Sequence, residues 1–177
     1  MKFDTLYKAY KKLTKKKYTT RADLARNCDF SVMTAGTAAK ELLSLGIVFE
    51  KQLSGVGKLS AYDICYSVIT ADMNSIILTT FDKALKPICT HRAVRNYSFP
   101  LIEDISMFLN NKYSPCELFP CLFLYKLPEN EIRIFSDLLP QNYAIIPDNT
   151  ENIFEFMRIY MLKLKIEQKA LAKEEEM

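Results

Sequence analysis

Ser31, Val32, Met33, Thr34 and Thr37 lie at the front of the stretch "SVMTAGTAAKELLSLGIV". Short hydroxyl and small apolar side chains at that spacing suit the edges of base pairs. Hydroxyls satisfy donors or acceptors there, and methyl-bearing groups pack on the thymine methyl. Arg21, Lys40 and Lys58 lie on either side, and cations of this kind meet phosphates, adding affinity without sequence information. Asp72, Glu103 and Glu129 form a second set, with the carboxylates that a two-metal nuclease requires. Glu103 is followed by Asp104 on what reads as an outward helix turn, so this set ranks well below the first. His91, in "ICTHRAV", has no nominated partner for acid–base work and reads as a surface residue at a sheet edge. Cys28, Cys65, Cys89, Cys116 and Cys121 are scattered, and the chain has one His. That is too few ligands for a zinc site, so reduced thiols, no metal and no cofactor are expected.

Charge separates the chain into two parts. Ten Lys and two Arg against three Asp and two Glu give residues 1–60 a net +7, while the remainder carries −4. The basic third is where a polyanion is expected to bind. With 177 residues, 49% hydrophobic and 25% charged, the composition is that of a globular domain or two small ones. No apolar run reaches the roughly 18–20 residues of a membrane span. "MKFDTLYKAYKKLTKKK" lacks the apolar core of a secretion signal. A cytoplasmic protein with no membrane partner is expected.

The elements that must hold the first set can be read from periodicity. Phe3, Leu6, Tyr7, Tyr10 and Leu13 form a helical stripe with lysines on the other side. "YTTRADLARNC" starts a second helix, with Thr20 as cap and Asp23 three residues on. "CDF" is a turn, and Ser31 caps a third helix whose inward side is Ala35, Ala38, Ala39, Leu42, Leu43 and Leu45, ended by Gly46. "IVFEKQL" reads as a strand, "SGVGKLS" as a hairpin tip and "AYDICY" as the returning strand. Helix, helix–turn–helix and two-stranded wing together make a winged helix-turn-helix over residues 1–65.

The run "TTRADLARNCDFSVMTAGTAAKELLSLGIVFE", followed by a Gly-containing wing, resembles the N-terminal DNA-binding region of the ROK family of repressors and sugar kinases, over roughly residues 18–64. The family usually has a bulky basic residue in mid-helix, where this chain has Gly36 and Thr37. The resemblance implies an actin-like kinase domain after the wing. Residues 66–177 read as βββαβαβα, the order of a single ribonuclease H-like or actin-like α/β half-domain with a mixed sheet. "SVITADM", "SIILTTFD" and "KPICTHRAV" are its first three strands, "FPLIEDISMFLNNKY" its first helix and "TENIFEFMRIYMLKLKIEQKALAK" its last. The overall fold class is α+β. Where the kinases carry an Asp followed by paired glycines, this chain has "TADMNS", and all four glycines lie at or before Gly57. Phosphate loops depend on glycine, so no enzyme activity is expected.

These readings converge on a sequence-specific transcriptional regulator. It would bind double-stranded DNA as a homodimer through its winged helix, with the degenerate half-domain dimerising or sensing an unidentified small-molecule effector. A protein-interaction or scaffold module that uses the winged helix is the alternative, and a metal-dependent nuclease stands behind it.

Overall fold

The computed structural model describes residues 1–134 and 136–175. It comprises two compact units: Met1–Asp63 with Arg158–Met177, and Ile64–Met157. The sequence reading kept the last helix wholly with the second part. In the structure that helix begins in the second unit and continues in the first.

The first unit opens with three helices, α1 (Phe3–Lys15), α2 (Arg21–Cys28) and α3 (Val32–Ser44). Leu6, Tyr10 and Leu13 of α1, Leu24 and Cys28 of α2, and Ala35, Ala38, Ala39 and Leu42 of α3 are all buried, and the three helices pack on one another. Three alanines on the inward side of α3 let neighbouring elements approach closely; Leu43, expected inside, is half-buried. The helix starts and stops follow local chemistry. The Thr20 hydroxyl accepts the Asp23 N–H (3.1 Å) at the start of α2, and Asp29 closes that helix in a left-handed conformation (φ 54°). Gly46 (φ 68°) ends α3, a conformation that favours glycine.

A hairpin follows, with β1 (Val48–Leu53) antiparallel to β2 (Val56–Ala61). This corrects the sequence reading. The tip is only Ser54 and Gly55, both at positive φ (53° and 75°), as in the tight two-residue turns that match strand twist. "VGKLSA" is therefore the returning strand and "SGVGKLS" is not a loop, while Tyr62–Cys65 lies outside any strand. Thr19 adds a single-residue third strand by exchanging backbone hydrogen bonds with Leu59 (2.9 and 2.8 Å).

The second unit is built on a five-stranded mixed sheet of order β5-β4-β3-β6-β7. The strands are β3 (Tyr66–Ala71), β4 (Ser75–Phe81), β5 (Pro87–Val94), β6 (Leu122–Tyr125) and β7 (Tyr143–Ile146). β4 pairs antiparallel with both β3 and β5, whereas β6 pairs parallel with both β3 and β7. Helix α4 (Leu101–Lys112) lies between β5 and β6 in sequence; α5 (Glu129–Ile134) and a 3-10 turn (Ser136–Leu138) precede β7, and α6 (Ile153–Glu175) follows. The element order thus matches the expected βββαβαβα. Leu122 and Leu124 of β6 join Ile69, Ile76, Ile105 and Leu109 in one core cluster. Phe123, between them in sequence, meets Phe119 and Phe156. Such a strand, covered on both faces, reads as an unbroken apolar run. Among the described residues no helix is long and apolar enough to cross a membrane.

Candidate nucleic-acid interface

Helix α3 presents the residues singled out at its front. Ser31 sits in extended backbone (φ −63°, ψ 155°), and its hydroxyl accepts the Thr34 N–H at 3.0 Å. The Ser31 and Thr34 hydroxyls lie 2.8 Å apart. No acidic residue stands in the first turn, so the partial positive charge of the helix N-terminus is not offset there. Val32 and Met33 are 72% and 79% exposed. The Thr37 hydroxyl donates to the Met33 carbonyl (3.0 Å). Met33, Thr37 and Lys40 are exposed at i, i+4, i+7 spacing and so form one outward stripe, opposite the side occupied by Ala35, Ala38, Ala39 and Leu42. Gly36 borders this stripe, and a Cβ built there meets nothing within 4 Å.

The hairpin carries charge on both faces. Strand register sets Lys51 directly opposite Lys58, Glu50 opposite Leu59 and Gln52 opposite Gly57. Lys51 is exposed and Lys58 partly so. Arg21, at the first position of α2, turns its guanidinium to β1. Its Nη1 pairs with Oε1 of Glu50 and its Nη2 with Oε2 at 2.8 Å. This two-pronged hydrogen bonding holds the Glu50 carboxyl below the usual range and raises the Arg21 guanidinium further. A Cβ at Gly57 would collide with the Glu50 carboxylate. Gly57 has no positive φ, so a side chain there would fit the backbone and would displace the Glu50 carboxylate from its present position. Sequence reasoning missed Glu50, Lys51 and Gly57. The missed signal was the dipeptide Ser54-Gly55, which sets the register that places them.

The carboxylates of the nuclease alternative stand at three separate elements. Asp72 follows β3 and accepts hydrogen bonds from the N–H groups of Asn74 and Ser75 (both 2.7 Å) and from the Ser75 hydroxyl (3.1 Å). The two backbone bonds are the chief reason its carboxyl titrates below the usual range. Asp72 thereby closes the β3–β4 turn without glycine, and no residue from 72 to 75 has positive φ. Glu103 lies in the first turn of α4 and Glu129 at the start of α5. Among the described residues, no group of three or more His, Cys, Asp or Glu is placed to hold a metal ion. Asp104, expected outward, is buried, because it accepts the Asn96 N–H (2.9 Å) and faces Arg95 Nε at 3.9 Å. His91 lies on the edge strand β5, with Cys89 Sγ 3.8 Å from its Nε2. None of the five cysteines forms a disulfide.

No family model matches the chain, and no curated protein matches it. Among solved structures it is similar to a crystal structure described as a ROK family transcriptional regulator, homologue of the E. coli MLC protein. Identity is 10%, with 70% of this chain and 36% of that one covered and a TM-score of 0.47. The chain thus spans about a third of that protein's length.

Proposed function

We propose that residues 1–63 form a winged helix-turn-helix whose α3 reads the major groove of double-stranded DNA, and that the protein is a sequence-specific transcriptional regulator. One observation carries this reading: a capped helix N-terminus, free of acids in its first turn, that projects Val32 and Met33 outward. Ser31, Val32, Met33, Thr34 and Thr37 face the bases, and Lys40 and Lys58 face phosphates. One such unit buries too little surface for high specificity, so the chain acts as a homodimer on two half-sites. The second unit, read as a single ribonuclease H-like or actin-like half-domain, provides dimerisation or sensing.

The test is selection of bound duplexes from a random pool, followed by titration of the selected duplex with Thr37→Glu. A carboxylate among the base-facing residues would carry negative charge into the groove between the phosphate strands, and a loss of at least about tenfold, or 1.4 kcal/mol, is expected. Failure to enrich any sequence would overturn the reading. A second reading draws on the same exposed pair. Val32 and Met33 would anchor a protein partner, and binding through them would be nearly indifferent to salt, unlike phosphate contact.

A further inference from the structure

We infer that the hairpin meets the polyanion with its Lys51–Lys58 face, and that Arg21, paired to Glu50 on the other face, is a positioning residue and not a phosphate ligand. This rests on the DNA reading above.

Side chains alternate along a strand, and residues directly opposite one another share a face. Lys51 and Lys58 are opposite one another, so their ammonium groups share one face of the hairpin. Neither has an ion-pair or hydrogen-bond partner among the described residues. Like charges directly opposed repel unless an anion joins them, and a phosphate backbone supplies that anion. The other face is already neutralised. Both guanidinium prongs of Arg21 are taken by both oxygens of Glu50, a geometry stronger and more directional than a single contact. Gly57 leaves the space that lets the carboxylate lie there. For a phosphate to take Arg21, it would have to displace a carboxylate already bonded at two points and leave Glu50 facing the DNA. The pair instead ties β1 to the start of α2, and so fixes the hairpin against the helix that precedes α3.

The experiment measures the slope of log affinity against log salt for the selected duplex, using the full chain. Lys51→Gln and Lys58→Gln are each expected to reduce the slope by about 0.9, one phosphate each. The double variant Arg21→Gln/Glu50→Gln, which removes both charges together, is expected to leave the slope unchanged. Arg21→Gln alone, which exposes the Glu50 carboxylate, is expected to weaken binding, and adding Glu50→Gln to restore it. A reduced slope in the double variant, or an unchanged slope in Lys51→Gln, would overturn the inference while wild-type binding still stood. Wild-type binding that ignored salt would overturn the DNA reading and the inference with it. Thermal unfolding of each variant separates these outcomes from loss of fold.

Discussion

Replacing Gly36 with Ala should move stability and DNA affinity in opposite directions. Gly36 sits inside α3, five residues from the Ser31 cap, where an L side chain adopts the backbone without strain. The added methyl meets nothing within 4 Å, so no packing cost offsets the helical preference. Glycine in a helix interior is about 0.8–1 kcal/mol less favourable than alanine, because it loses more backbone freedom on folding. For a chain of this size that gain corresponds to a rise in Tm of roughly 2–4 °C, read by circular dichroism. If α3 lies in the groove, the same methyl borders the Met33–Thr37–Lys40 stripe, in a place open in the free protein and crowded in the complex. Affinity for the selected duplex should then fall despite the more stable fold. A lower Tm would refute the reasoning about the helix. A higher Tm with unchanged affinity would refute the orientation of α3 on DNA.

Further outcomes follow from individual contacts. Ser31→Ala removes the acceptor for the Thr34 N–H and should cost about 1 kcal/mol in urea unfolding, whereas Ser31→Asp should retain the cap and weaken DNA binding. Leu42→Ala, at a fully buried site between the helices, should cost about 2–5 kcal/mol; a loss below 1 kcal/mol would mean the cluster is not the core. Glu50 titrates below its unfolded value because of Arg21, so the pair stabilises the fold above the ordinary carboxylate range and loses that contribution as pH falls through the lowered value. The Tm of Glu50→Gln should therefore depend less on pH than the wild type below about pH 5, and parallel curves would contradict the pair. Burial pushes the Cys121 thiol up to about 12 and raises that of Cys28. With a thiol reagent at pH 8, exposed Cys89 should react first and these two only on unfolding.

What could be read from the sequence was set by period and capping. The α1 stripe, the Thr20 and Ser31 caps and the Gly46 stop are local signals, and each stands in the structure where its spacing implied. The three antiparallel strands and the buried β6 were legible because their apolar runs are bounded by turn residues. The hairpin was misread by the length of its tip: a two-residue turn and a longer loop both fit "SGVGKLS", and only the pairing of Leu53 with Val56 decides between them. Asp104 was misread because its burial depends on the Asn96 N–H, a contact from the preceding loop that helix periodicity does not reveal. The Arg21–Glu50 pair joins residues 29 apart in sequence, so no local pattern announces it. The outward position of Val32, Met33 and Thr37 on α3 was legible from helical spacing, while the face of the hairpin that carries unpaired charge required the register.

The central claim is that the front of α3 lies against bases, and site-directed photo-crosslinking tests it most directly. A photoreactive side chain at position 33 is compared with one at Met107, an exposed methionine on α4 in the second unit. Both proteins are irradiated with the selected duplex. Crosslinks to bases from position 33 and none from position 107 are the predicted result. Equal crosslinking from both positions, or none from position 33 in a protein that still binds the duplex, would contradict the account.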